Sequence, residues 1–142
     1  MASWREIEAE VPEFAAKVRE VMDAHRHKTM ATLRADGSPR ISGTEMTFRD
    51  GEVWLGSMPG SVKAMDLRRD GRVAVHSASE DPDEDDPAAW PGDAKLAGRA
   101  VEVTDPQARA AFGGPGQDLH LFRIDVTEVV RTHVDTDGEH LV

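Results

Sequence analysis

Two Asp-Gly pairs, Asp36-Gly37 and Asp50-Gly51, constrain the fold of this chain more than any other feature. An Asp-Gly pair between alternating apolar segments is one of the strongest signals for a tight antiparallel hairpin. The three strands predicted around these pairs cover residues 28–34, 40–48 and 52–57. Direct hairpins exclude a parallel doubly wound sheet, which needs long crossover connections, and the sequence has no GxGxxG fingerprint.

Residues 1–25 are predicted to be helical. Ser3 and Glu6 have the spacing of a capping box, and apolar residues follow at steps of three or four. Pro12 interrupts this stripe and predicts two short helices or a kink near Val11. The stripe consists of Trp4, Ile7, Val11, Phe14, Val18 and Met22.

The rest of the chain alternates short strands with small helices. We predict a helix over 61–69, with Val62, Met65 and Leu67 turned inward and Gly71 as its C-cap. A second helix over 105–112 is broken by the glycines of 113–116. Further strands are predicted over 72–77, 95–104 and 119–134 (one bent strand or two shorter ones), with a turn at 135–138 before a last strand ending at Val142. Six or more short strands indicate a mainly β, antiparallel barrel in a single domain, 1–142.

Composition excludes several functions. The formal net charge of −10 argues against nucleic acid and anionic membrane surfaces as partners. The chain has no cysteine, no apolar run that could span a bilayer and no signal-like N-terminus, so we expect a cytoplasmic protein. The acidic, proline-containing segment 79–92 is predicted to be a solvated loop; it lacks the spacing of an EF-hand.

The most informative segment for chemistry is 56–67. A strand ends at Gly56-Ser57, the chain turns through Pro59-Gly60, and a helix opens with Ser61 at its cap. Amides at a helix N-terminus, two hydroxyls and Lys63 together form a candidate anion site. Alternatively, Ser61 serves only as an N-cap and Lys63 is a solvated lysine.

An ordered series of segments resembles the pyridoxamine 5′-phosphate oxidase-like family, particularly its small actinobacterial members, many of which use the deazaflavin coenzyme F420. The series comprises Ala31 to Ser42, the turn at Asp50-Gly51, Ser61 to Ala64 and Asp66 to Val75, with a weaker continuation in Gly98 to Val103. The resemblance implies a six-stranded split β-barrel of Greek-key type. It also implies a homodimer with two cofactor sites at the subunit interface.

The resemblance also implies roles for particular residues toward FMN or, alternatively, F420. Ser42, Gly43 and Thr44 would run along the ring. Gly56, Ser57 and the adjoining Met58 would border the ring and the ribityl chain. Ser61 and Lys63 would hold the phosphate. Asp93 or Lys95 would lie near the position of a cofactor-contacting glutamine.

The chain departs from the oxidase proper at its phosphate-binding positions, where Ser42 and Val62 stand in place of arginines. The segment that grips pyridoxal in that enzyme has no counterpart after Val142, so we do not expect vitamin B6 synthesis.

Other chemistry-bearing residues have simpler interpretations. The six histidines form no HExxH motif, and His120 is interpreted as a packed or rim residue on a strand face with Phe122 and Ile124. Trp54 is predicted in the core or at a dimer interface. Trp90 either anchors the acidic loop or closes over a bound ring.

Three hypotheses remain open from the sequence. The first is an oxidoreductase that transfers hydride between FMN or F420 and a small organic substrate, with the cofactor carrying the reactive chemistry. The second is a non-catalytic carrier of flavin, F420 or haem. The third is a structural dimer with an empty cleft.

Overall fold

The structure, a computed structural model, describes residues 1–113, 119–134 and 140–141 of the chain. The strands in this part are β1 (His27–Leu33), β2 (Pro39–Arg49), β3 (Glu52–Ser57), β4 (Arg72–His76), β5 (Asp93–Glu102), β6 (His120–Val134) and β7 (His140–Leu141). The α-helices are α1 (Trp4–Glu10), α2 (Pro12–Asp23), α3 (Val62–Arg69) and α4 (Pro106–Gly113). A short 3-10 helix covers Pro87–Ala89.

Strands β1 to β6 close into a barrel. They follow the order β3-β2-β1-β4-β5-β6, and β3 pairs with β6 to join the two ends. Every pair is antiparallel. The predicted mainly β, six-stranded antiparallel barrel with peripheral helices is therefore confirmed. The predicted segment 119–134 forms one long strand, β6, with a register shift opposite Ala97 and Gly98 of β5.

The first hairpins form as predicted. Asp50 and Gly51 have φ values of 52° and 76°, the left-handed pair that a two-residue turn of type I′ requires. This turn sets the β2–β3 register, in which Glu45 lies opposite Gly56. Alternation along β2 then buries Met46 and sends Glu45 outward. The outer faces of β2 and β3 are thereby placed side by side.

The N-terminal helices cover part of the core. Ser3 Oγ accepts a hydrogen bond from the Glu6 amide at 3.3 Å, and the chain breaks into two helices at Pro12 as predicted. The predicted stripe is wrong at Val11 and Phe14, which are 43% and 37% exposed. The predicted Val18 and Met22 are buried, and α2 also buries Ala15 and Val21, whereas Val11 lies at the break between the two helices.

Helix α3 differs from its prediction in two details. Val62 is 56% exposed because the buried face of the helix consists of Ala64, Asp66 and Leu67. Gly71 is not a left-handed C-cap, since the helix ends at Asp70 with extended backbone. A Cβ at Gly71 would lie 2.6 Å from the Ala100 carbonyl oxygen, so glycine permits a close approach of β4 to β5.

Trp54 and Trp90 have separate roles. Trp90 donates from Nε1 to the Glu80 carbonyl at 2.6 Å, as the loop-anchoring interpretation predicts. Trp54 is not in the core: it is half-buried on the outer face of β3. The predicted helix breaker at 113–116, the turn at 135–138 and the strand end at Val142 lie wholly or mostly outside the described residues. No helix in the described part of the chain is long and apolar enough to cross a membrane.

Candidate functional site

A cleft of about 480 Å³ opens on the outer side of β2 and β3, between α3 and α4. Alternation places the exposed residues of both strands on this side, while the barrel core fills the other. The cleft is lined by His27, Gly43, Thr44, Glu45, Thr47, Gly56, Ser57, Met58, Lys63, Arg109, Phe112, Leu119 and Leu121.

Two glycines leave the floor of this cleft flat. Gly43 on β2 and Gly56 on β3 are exposed, and a Cβ built on either would meet no atom within 4 Å. Neither has a positive φ, so the backbone conformation does not require glycine at these positions. Their effect is to leave open backbone surface on two neighbouring strands, which a planar group can approach closely.

Hydroxyl and ammonium groups gather at the start of α3. Ser61 is the N-cap, and its Oγ accepts from the Ala64 amide at 3.3 Å. Ser57, at the end of β3, places its hydroxyl in hydrogen-bond contact with that of Ser61. Lys63 Nζ donates to the Gly43 carbonyl at 2.7 Å, so the ammonium lies directly at the glycine floor. The arrangement joins a helix N-terminus, two hydroxyls and a cation beside an open surface.

Helix α4 forms the opposite wall. The Phe112 ring lies 4.9 Å from the Trp54 ring, between centroids, and the Arg49 guanidinium lies 5.3 Å from the Phe112 centroid. Arg49 also donates to the Ala111 carbonyl at 2.9 Å, and Arg109 donates to the Leu119 carbonyl at 2.5 Å. These contacts hold α4 against the barrel, with Phe112 and Arg109 lining the cleft.

A polar cluster supports α3 from the side of β5 and β6. Arg68 donates three hydrogen bonds of 2.8 to 3.0 Å to the Glu102 carboxylate. The Arg68 guanidinium thereby holds the pKa of Glu102 below its usual range. His120 Nε2 accepts a hydrogen bond from the Gly60 amide at 3.0 Å. His120 has a side chain only 14% exposed, which agrees with the packed or rim interpretation.

The structure brings together most of the residues predicted from the sequence. Six of them line the cleft: Gly43, Thr44, Gly56, Ser57, Met58 and Lys63. Ser61 adjoins it through Ser57. Ser42 does not line the cleft, and its Cα pairs with Met30 of β1. Asp93 and Lys95 lie at the start of β5, paired with Thr132 and Val130 of β6, and also lie outside this cleft.

Sequence reasoning missed the α4 wall. The start of this helix at Asp105-Pro106 was recognisable, and Arg109 and Phe112 are three residues apart, so they share a helix face. That spacing was the available signal. What it could not reveal is that this face turns toward β2 and β3, because the contacts with Arg49 and Trp54 join segments about 60 residues apart in the chain.

A family model described as pyridoxamine 5′-phosphate oxidase matches residues 14–133. The chain belongs to the pyridoxamine 5′-phosphate oxidase family. The match runs from α2 into β6 and so spans the whole barrel and every residue that lines the cleft. No curated protein matches the chain in sequence.

Several solved structures resemble this chain in fold. A conserved hypothetical protein, Rv2991 from Mycobacterium tuberculosis, is 24% identical over 82% of each chain, with a TM-score of 0.63. A structure titled F420 reductase is 15% identical, with 79% of this chain and 94% of that one covered and a TM-score of 0.58. A haem-binding protein from Mycobacterium smegmatis is 19% identical, with 88% of this chain covered and a TM-score of 0.64; this chain spans 55% of its length. At sequence identities below 25%, these structural matches show a shared fold.

Proposed function

We propose that this chain is a flavin- or deazaflavin-dependent oxidoreductase that binds FMN or, alternatively, coenzyme F420 in the cleft. It would transfer hydride between that cofactor and a small organic substrate. The observation that carries the proposal is the glycine floor of Gly43 and Gly56 beside the anion-binding features at the start of α3. A planar ring attached to a phosphate needs these two surfaces side by side.

The residues present fit such a group. A Cβ at Gly43 or Gly56 would project into the open space that a ring would occupy. Lys63 would hold the phosphate, since an ammonium has three donors and, within the described residues, Gly43 accepts from one of them. Ser57 and Ser61 would add hydroxyl donors. When bound, a flavin or deazaflavin supplies the hydride chemistry itself.

The protein would contribute binding, orientation and exclusion of water. Phe112, Leu119 and Leu121 give the cleft an apolar wall, and Arg109 and Lys63 add positive charge within a chain of net charge −10. Arg40, a cation on β2, is bonded to the buried Asp66 at 2.7 Å. The phosphate would therefore rely on Lys63 and the start of α3.

We also propose that the working form is a homodimer with the cofactor between two copies. Three large apolar side chains are exposed on β2 and around the start of α3: Ile41 (76%), Met58 (72%) and Val62 (56%). A second copy of the chain would bury them. Asp93 and Lys95 lie outside the cleft of their own chain, so they would contact a cofactor only if the partner copy supplied them. Cytoplasmic location remains a prediction from the sequence.

The test is a fluorescence titration with FMN, riboflavin and F420, after an absorption spectrum of the purified protein. FMN should bind more tightly than riboflavin, because only FMN carries a phosphate for Lys63. Lys63→Ala should weaken FMN binding about tenfold or more, the loss of one charge-assisted contact, and leave riboflavin binding nearly unchanged. Lys17→Ala, an exposed lysine on α2, is the matched control. Equal affinity of the wild-type protein for FMN and riboflavin would overturn the phosphate assignment.

Turnover is tested separately. Oxidation of the reduced cofactor by a small organic acceptor should be faster with the protein than without it. Tight binding without acceleration would instead support a carrier.

The carrier alternative extends to haem because His27 lines the cleft with its side chain 80% exposed, and histidine is a common iron ligand. A haem titration with a Soret shift that His27→Ala abolishes would favour it.

A further inference from the structure

His120 connects the two ends of α3 to the barrel. Its Nε2 accepts from the Gly60 amide, just before the helix, at 3.0 Å. Its Nδ1 lies 3.2 Å from Nη2 of Arg68, in the last turn of the helix, and 3.7 Å from the Glu102 carboxylate on β5. The residue itself is the first of β6 and pairs with Ser57 at the end of β3.

The Gly60 contact assigns the tautomer of His120. An amide only donates, so Nε2 must carry the lone pair, and the proton of the neutral ring lies on Nδ1. With this proton, Nδ1 faces the Glu102 carboxylate, which also neutralises Arg68, and the 3.2 Å approach of Arg68 Nη2 to Nδ1 is then a contact between two donors and not a hydrogen bond. Gly60 has a φ of +73°, and Ser61 donates to the Met58 carbonyl at 3.1 Å to close the turn. Without His120, only the bond from Ser61 to Met58 would hold this left-handed turn. The hydrogen bond from Gly60 to the histidine adds a second restraint.

We propose that His120 is the positioning residue of the anion-binding turn, because its Nε2 holds the Gly60 amide just before α3. This inference rests on the proposed function, because the turn leads into Ser61 and Lys63. Neutral His120 holds Gly60 in place, and so fixes the direction in which Ser61 and Lys63 face the cleft. Without this acceptor, the turn is released and the anion-binding groups lose their alignment.

Within the described residues, the charged groups that face His120 are Arg68 from α3 and Glu102 from β5. The carbonyl of Leu119, which precedes β6, accepts from Arg109 of α4. Arg68 holds the pKa of Glu102 below its usual range, so the carboxylate that faces Nδ1 is ionised and favours the tautomer in which Nδ1 carries the proton. Nε2 is then left as the acceptor for Gly60.

The test combines FMN affinity with the exchange rate of the Gly60 amide, measured by NMR on the full chain. His120→Leu removes the acceptor, and His120→Gln supplies a carbonyl oxygen in its place. We expect His120→Leu to speed Gly60 exchange and weaken FMN binding about five- to tenfold, the equivalent of one hydrogen bond. Riboflavin binding should change little. His120→Gln should restore most of the Gly60 protection and most of the FMN affinity.

Rescue by His120→Gln separates positioning from a general structural role, because glutamine supplies the acceptor without the imidazole ring. The proposal is overturned if Gly60 exchange in His120→Leu matches the wild type, or if His120→Gln restores neither Gly60 protection nor FMN affinity. Should His120→Leu fail to fold, His120→Phe, which keeps a ring but lacks the acceptor, takes its place in the same comparison. Failure of wild-type protein to bind FMN would refute the proposed function, and the Gly60 exchange rates would then decide the role of His120 alone.

Discussion

At the scale of single residues, the site depends on two glycines, which leave the cleft floor without side chains. Gly43 and Gly56 occupy outward strand positions where β-branched residues ordinarily fit well. Nothing in the fold excludes a side chain there, because the space above each Cα is open. Folding stability alone would favour larger residues at both positions. Glycine therefore leaves room for a bound group on the floor of the cleft.

Gly56→Val tests this reading. The valine should leave the thermal midpoint equal to or above that of the wild type, since neither φ nor a neighbouring atom opposes it. Its methyl groups would fill the ring position, so FMN affinity should fall about tenfold or more, equivalent to about 1.4 kcal/mol. Ala74→Val, at an exposed strand position on β4, is the control and should not alter FMN binding. A stable Gly56→Val protein with wild-type FMN affinity would contradict the floor assignment.

At the scale of elements, a buried carboxylate fixes α3 to the barrel. Asp66 of α3 accepts from Thr32 of β1 at 2.8 Å and from Arg40 of β2 at 2.7 Å. Arg69 adds a third bond at 2.9 Å. Burial raises the pKa of Asp66, but the hydrogen bonds from Arg40, Thr32 and Arg69 outweigh it and hold this pKa below the usual range. The start of α3, and with it Lys63, is thereby held at the edge of β2.

Asp66→Asn should lower the free energy of unfolding at pH 7 by about 2–3 kcal/mol, less than for a fully buried ion pair because Arg69 is partly exposed and recovers water. Because the pKa of Asp66 is lower in the folded than in the unfolded protein, its ionised carboxylate stabilises the fold at pH values above the unfolded pKa of about 3.9. This stabilisation is lost as the pH falls through the pKa of the folded state. Urea unfolding at pH 7 and pH 3 should therefore show the wild-type advantage shrinking in acid.

Asp70→Asn is the matched control for Asp66→Asn. The Arg72 guanidinium lowers the pKa of Asp70 to about 2, but this carboxylate lies near the surface, where solvent screens such pairs. Its loss should shift the urea midpoint only slightly. Equal effects of the two substitutions would contradict the buried role of Asp66.

At the scale of the whole molecule, the proposed dimer accounts for the exposed apolar groups near the cleft. Ile41 and Met58 are more than 70% exposed, in a chain that otherwise buries most of its large apolar side chains. Placing a second copy over them would also enclose the cleft. Cofactor binding and dimerisation are then expected to be lost together.

Ile41→Glu tests this coupling. The side chain is exposed, so the fold of each copy should persist, while a charge in the interface should shift the mass measured by light scattering toward the monomer. FMN affinity should fall with it. Val11→Glu, at an exposed apolar position between α1 and α2, should leave mass and affinity unchanged. A wild-type monomer at micromolar concentration would refute the dimer and the interface site.

The sequence by itself determined the hairpins, the barrel class and most of the cleft residues, because these follow from local physics. Asp50-Gly51 has a local preference for its left-handed turn, and alternation from that turn assigns the faces of β2 and β3. The tertiary structure alone decided that Arg109 and Phe112 of α4 form the opposite wall, that Asp66 ties α3 to the barrel, and that His120 holds Gly60. Each of these depends on the β3–β6 closure or on contacts between segments 26 to 62 residues apart, which no short-range pattern encodes.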